Sequence, residues 1–262
     1  MPVFRRKVFP LSVRNKHVRD KQITFNSAEH KYNVHGLKYL STTKLISQCF
    51  PEFNAEEVIK KMKSSKNWES SKYNGLSNDE IKAEWISARN QGTFLHECIE
   101  KYYNGEYVAD GPPEYSSQFL PFAREASDVL TPFRSEWKIF DEEHQIAGTV
   151  DMAFLRGGEM ILYDWKRSES FMRRDNPWEN ATGCLAHLPN AKFWKYSMQL
   201  NVYKMILERN YGWKVGGMFL LGMHPKFENF INVEVPDLEE ETKALFEMRL
   251  QQLNPQQTQS TV

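Results

Sequence analysis

No stretch of the 262 residues approaches the ~18 consecutive apolar residues that a membrane-crossing helix requires. The start, Met1 to Lys21, lacks the apolar core of a secretory signal, so a soluble intracellular protein without a membrane partner is expected. Cysteine is scarce. Cys49, Cys98 and Cys184 are odd in number, far apart and free of any C-x-x-C pair, which argues against a disulfide framework, a zinc ribbon and an iron–sulfur cluster. Three packed thiols are the plain expectation. Net charge is also lacking: 34 basic side chains balance 34 acidic ones, so attraction to a polyanion has to come from local patches. No internal repeat is present.

What the chain has is enough apolar material, 40% hydrophobic with 13% aromatic, to bury a sizeable core as one domain. Its charges are unevenly placed. Arg5, Arg6, Lys7, Arg14, Lys16 and Arg19 all precede the first acid, Asp20, whereas Asp237, Glu239, Glu240 and Glu241 cluster near the other end. The basic stretch has three readings: a phosphate grip, an organelle address, or a solvated terminus.

Strand patterns at Ile23–Phe25 and Lys31–Val34, turning at His35-Gly36, lead to a helix start at Ser41. Helical periodicity covers 55–63, and Ser77-Asn78-Asp79-Glu80 has capping-box spacing ahead of a helix that Asn104-Gly105 ends. Whether Gly92 interrupts that helix is left open by the pattern. Further helices are expected over 115–130 despite Pro121, over 195–210 and over 238–253. Strands are expected over 134–140, 145–155, 159–166 and 216–223. The order predicts a mixed α/β domain.

The most informative stretch runs from Gly148 to Lys166. Two strand-like runs flank Gly157-Gly158, a pair suited to the positive φ angles of a two-residue hairpin turn. Counting outward, Arg156 faces Glu159 and Asp151 faces Asp164. Facing Cβ atoms lie roughly 4.5–5.5 Å apart, where two anions repel unless a cation separates them. Such a pair costs stability alone and makes a hard-cation site with a metal. Asp164 and Lys166, two apart on one strand, share a face, and Tyr163 and Trp165 take the other. A lone acid on a strand is usually solvated, but these acids lie among Val150, Met152, Leu162 and Trp165, where unpaired charge is costly. A lysine beside metal ligands can hold an attacking water and offset phosphate charge.

Gly148-Thr149-Val150-Asp151 followed by Asp164-Trp165-Lys166 resembles the core signature of the RecB-like branch of the PD-(D/E)xK nucleases, with Val150 in place of the proline. Gly92-Thr93-Phe94-Leu95-His96-Glu97-Cys98-Ile99-Glu100 looks like that branch's G-T-x-x-H-x-x-x-E helix, and Gln199-Leu200-Asn201-Val202-Tyr203 like its Q-x-x-x-Y helix. Glu136 stands where the branch often carries an acid. Ser41-Thr42-Thr43 and the early strands are similar to phage and mitochondrial genome maintenance exonucleases, which leaves a phage-infected cytoplasm or a mitochondrion as the implied compartment. The resemblance covers roughly residues 22–235.

It implies a restriction-endonuclease-like α/β core, a mixed sheet flanked by helices. The implied organisation is a basic arm over 1–21, a single nuclease domain over 22–253 and a polar, disordered tail over 254–262. It further implies Mg2+, replaceable by Mn2+, held by His96, Asp151, Asp164 and the Trp165 carbonyl, with Glu100 or Glu136 as a further ligand. Asp151, Asp164, Lys166, His96, Glu136, Gln199 and Tyr203 form the implied catalytic set. The implied activity is hydrolysis of DNA phosphodiesters in repair, recombination or replication, with single-stranded or free-ended DNA as partner. The alternatives are an endonuclease on DNA or RNA and an inactive nucleic-acid-binding module. The residues add to this on their own terms. His96 and Glu100, like Gln199 and Tyr203, are four apart and share a helical face. The second pair can orient DNA or water, or simply close the core. Trp194, Lys195 and Tyr196 interleave rings with charge as a single-strand stacking platform does, although packing explains the rings equally well. Arg167 is a further candidate contact to nucleic acid.

Overall fold

The computed structural model describes residues 9–255. In chain order its elements are α1 (Leu11–Arg14), β1 (Ile23–Asn26), β2 (Lys31–Val34), β3 (Leu37–Ser41), α2 (Thr42–Ser47), α3 (Ala55–Lys63), α4 (Asn78–Tyr103), α5 (Leu120–Ser127), β4 (Thr131–Asp141), β5 (Ile146–Arg156), β6 (Glu159–Lys166), α6 (Lys192–Asn210), β7 (Val215–Gly222), β8 (Ile231–Glu234) and α7 (Glu239–Leu253). The chain is a mixed α/β fold whose central sheet combines parallel and antiparallel pairs.

Side-chain caps from Ser41, Asn54 and Ser77 set the starts of α2, α3 and α4. Ser77 accepts from Glu80 N while the Glu80 carboxylate accepts from Ser77 N, and α4 then runs 26 residues straight through Gly92. Pro121 has a local cost that periodicity does not register. Lacking an N–H, it sits in the first turn of α5, and the chain ahead of it, Tyr115–Phe119, widens into a π stretch that runs into α5 without a break, so the expected helix is continuous but distorted ahead of the proline and ends at Ser127. The short β8 and the separate β3 carry too few residues to show a pattern of their own.

Two hydrophobic layers hold helices to opposite faces. Met152, Phe154, Tyr163 and Trp165 pack with Leu95, Ile99 and Phe122 from α4 and α5. Val150, Leu162 and Leu220 pack with Leu45 of α2, Leu200, Val202 and Ile206 of α6, and Leu245 of α7. The β5–β6 ladder has the expected register from Arg156 opposite Glu159 to Met152 opposite Tyr163, closed by Gly157 and Gly158 at φ +61° and +88°, but it ends there, so the expected pairing of Asp151 with Asp164 is not part of it.

The sheet forks along β5. At its start, Ile146 and Ala147 pair in parallel with Leu40 and Ser41 of β3, whereas beyond Met152 the same edge belongs to β6. Residues 148–151 lie between the two neighbours. Here Gly148 is required, since a Cβ would stand 2.4 Å from the Tyr203 ring and 3.0 Å from Thr42 Oγ1. Val150 packs in one layer and Met152 in the other, so β5 exchanges faces across Asp151. On β4 the residue between the paired Ser135 and Trp137 is Glu136, held at φ +45°.

The basic stretch is packed from Pro10 onward. Leu11 is fully buried, and Asp20 accepts from Arg134 Nη1 (2.8 Å) and Trp137 Nε1 (3.1 Å), which ties the segment to β4. Arg5, Arg6 and Lys7 lie outside the described residues, as do 256–262 of the polar tail. Among the described residues no helix is long and apolar enough to cross a membrane.

Candidate metal centre at the sheet fork

At the fork, His96 of α4, Glu136 of β4 and Asp151 of β5 converge, with one potential ligand atom from each lying within 4.8 Å of the others. His96 Nδ1 is 3.7 Å from Glu136 Oε1 and 3.6 Å from Asp151 Oδ2. Its Nε2 is 3.0 Å from the Trp165 carbonyl oxygen. The Trp165 N–H donates to Asp151 Oδ2 (2.9 Å), filling the place of a ladder bond where β6 leaves β5. The electrostatics follow from crowding. Burial pushes the Asp151 carboxyl above its ordinary range, with Glu136 adding to the rise and His96 opposing it. Burial acts against a charged His96, yet Asp151 and Glu136 outweigh it and raise the imidazole to about 9. The shift favours a protonated ring between the two carboxylates, where like charges would otherwise meet. Two carboxylates, an imidazole and a main-chain carbonyl in such reach could hold a divalent cation, whose binding would displace that proton.

Asp164 lies on the other side of the fork and joins a different set. Its carboxylate forms an ion pair with Lys166 and accepts from Gln199 Nε2 (3.1 Å), and the same amide donates to Tyr203 Oη (3.1 Å). Burial, then the nearby Asp151 carboxylate, pushes Asp164 up to about 6 against the pull of Lys166. Burial disfavours the Lys166 ammonium, but Asp164 and Asp151 hold its pKa above the ordinary lysine value. The ammonium also sits 4.3 Å from the centre of the Tyr196 ring. Asp164 therefore presents its oxygens to Lys166 and Gln199, and the compact ligand cluster has Glu136 where the resemblance placed Asp164. Glu100, the other proposed extra ligand, is not in that cluster. It lines a cavity of about 430 Å3 behind Glu136, with Asp20, Arg134 and Lys138.

The nucleic-acid candidates divide. Arg167 turns inward to Glu114 at 2.7 Å, and Glu114 is 1% exposed, so this guanidinium is committed to a buried ion pair. Trp194 donates its indole N–H to the Arg174 carbonyl (2.8 Å) and lies edge-on to Phe193. Lys195 and Tyr196 instead line a cavity of about 520 Å3 with Phe50, Phe53 and Gln199.

Two features at the site carried no sequence signal. Tyr32, 4% exposed, meets Thr149 Oγ1 at 2.9 Å beside Asp151, because the β1–β2 hairpin folds over β5. Phe50 and Phe53 lie in an aperiodic connection between α2 and α3 and reach the site only through the packing of α2 on α6.

No protein-family model and no curated protein matches the chain. Among solved structures, SSO0001 aligns with 94% of this chain and 83% of its own at 14% identity and a TM-score of 0.34, too distant to carry an argument.

Proposed function

We propose that the chain is a divalent-metal-dependent nuclease that hydrolyses DNA phosphodiesters, built on a restriction-endonuclease-like core. The observation that carries this reading is the meeting of His96, Glu136 and Asp151 at one fork of the sheet, beside the buried Asp164–Lys166 pair. Those residues come from four separate elements and concentrate like charge in a place where stability alone disfavours it. His96, Glu136, Asp151 and the Trp165 carbonyl would hold magnesium or manganese, with the Asp164–Lys166 pair beside them. When bound, the cation would polarise the phosphate and lower the pKa of an attacking water.

The chain's own groups do the rest. Lys166 keeps its proton because carboxylates surround it, so it acts as a donor, holding water or a phosphate oxygen and offsetting charge that builds at phosphorus. Gln199 fixes Asp164, and Tyr203 fixes Gln199. None of these groups reads a base edge, so cleavage is expected to be indifferent to sequence. By resemblance, the preferred substrate is a single strand or a free end.

A digest of end-labelled single- and double-stranded DNA and RNA tests the proposal. Cleavage is expected in magnesium or manganese, strongest on single-stranded DNA, with little in calcium, whose looser coordination mis-sets the geometry. Robust cleavage in a chelator would overturn it.

A further inference from the structure

Two cavities border the fork, and their chemistry differs. The one behind Glu136 is polar and carries Asp20, Glu100 and Glu136 against Arg134 and Lys138. The one beyond Gln199 is walled by Phe50, Phe53 and Tyr196, with Lys195 at its side and Glu52 at its rim. We infer that this aromatic cavity is a nucleobase subsite, which seats the base of an unpaired nucleotide adjoining the scissile phosphate. The inference rests on the nuclease reading for the phosphate's position and goes beyond it in assigning the cavity.

Position comes first. Gln199 lies in the cavity wall and donates to Asp164, and Tyr196, in the same wall, lies under the Lys166 ammonium. A phosphate at Lys166 therefore has its attached nucleoside directed at these walls. Size agrees: about 520 Å3 falls within the ~300–1,000 Å3 of small-ligand sites, and a nucleoside is a small ligand. The walls suit a flat π system. Phe53 leaves 67% of its surface exposed, held edge-on to Trp85 of α4 at 5.8 Å, so its ring is oriented yet uncovered. Lys195 extends over the Phe50 ring at 4.9 Å, and burial lowers its pKa, marking an ammonium that is poorly solvated. A base stacked on Phe53 recovers apolar burial, and the phosphate next to it meets Lys195. The acidic rim at Glu52 disfavours the phosphate there and can accept from a base N–H. The polar cavity offers no ring on which a base stacks in comparable fashion apart from Phe25, and its carboxylates repel the strand.

Binding and cleavage are measured separately so that the two readings fail separately. Fluorescence anisotropy with the full chain in calcium reports affinity for a short single-stranded oligothymidylate and for a set of the same strand carrying one abasic residue, stepped along its length. Wild type is expected to lose about 10-fold in affinity when the abasic residue falls at one position, within the range for a lost base stack. Phe53→Ala is expected to bind the intact strand about 10-fold more weakly and to lose the positional effect, and Phe53→Trp to restore both. Because Phe53 is exposed, its truncation leaves the fold intact, which circular dichroism checks. Equal binding of intact and abasic strands by wild type, or unchanged positional discrimination in Phe53→Ala, overturns the subsite and leaves the cavity to another occupant. A strand bound with this discrimination but never cut in magnesium leaves the subsite standing and removes the nuclease reading.

Discussion

Glu136 illustrates how a single residue holds strain at the site. Its left-handed backbone costs an L-residue about 1–2 kcal/mol, and its carboxylate adds repulsion toward Asp151. Glu136→Gly is therefore expected to stabilise the metal-free protein by about 1–2 kcal/mol in urea unfolding while abolishing or strongly reducing cleavage. A destabilised variant would show that the conformation is not strained. The two aspartates should part company in the same experiment. Asn in place of Asp151 can still accept from Trp165 N–H and removes a buried like charge, so metal-free stability should hold or rise. Asp164→Asn removes the carboxylate paired with the buried Lys166, leaving Asp151 as its remaining negative neighbour, and should cost about 3 kcal/mol. Equal effects in the two variants would contradict their separate environments. At this scale much of the site was legible. Asp151, Asp164 and Lys166 stand out because charged residues interrupt apolar strands, and His96 because its helix partner motif was recognised. The resemblance offered Glu136 only beside Glu100, and what brings it to His96 and Asp151 is a backbone conformation that no residue pattern announces.

Among the elements, the β4–β5 turn is fixed by a buried polar knot. Asp141, fully buried, accepts from His144 N (2.8 Å) and meets His144 Nδ1 at 2.7 Å, and Arg249 of α7 donates to the His144 carbonyl. Burial opposes the Asp141 charge, but the His144 hydrogen bonds outweigh it and hold the carboxyl below its ordinary range, as Arg134 and His17 do for Asp20. A depressed folded pKa gives stability that is present above the unfolded value of ~3.9 and lost as pH falls through the folded one. Urea midpoints should thus fall steeply below about pH 4, and Asp141→Asn should start lower at neutral pH with a shallower slope. Parallel curves would assign the acid sensitivity elsewhere. Gly148→Ala should cost about 1–3 kcal/mol and reduce cleavage, because its methyl displaces Tyr203 and with it Gln199. Elements with strong local signals, α4 with its capping box and the Gly157-Gly158 hairpin, were readable in advance. The π turn before Pro121 and the crossing of β5 from one layer to the other were not, since both answer to neighbours distant in sequence.

For the molecule as a whole, zero net charge means that, on the proposed reading, contacts to DNA come from local patches, and the fall of affinity with salt should report how many phosphates those patches neutralise. The free-end preference proposed by resemblance is separable from the chemistry. Closed single-stranded circles present the same phosphates without a terminus and should be cut far more slowly than linear strands of equal length. Equal rates would make the protein an endonuclease with the same metal centre. The central claim is that hydrolysis depends on a cation held at the fork, and the rate of cleavage of linear single-stranded DNA in magnesium by wild type and by Asp151→Asn tests it most directly. Wild type should turn over and stop when the metal is chelated, with no measurable turnover from a folded Asp151→Asn protein. Turnover near the wild-type rate in that variant would contradict the account.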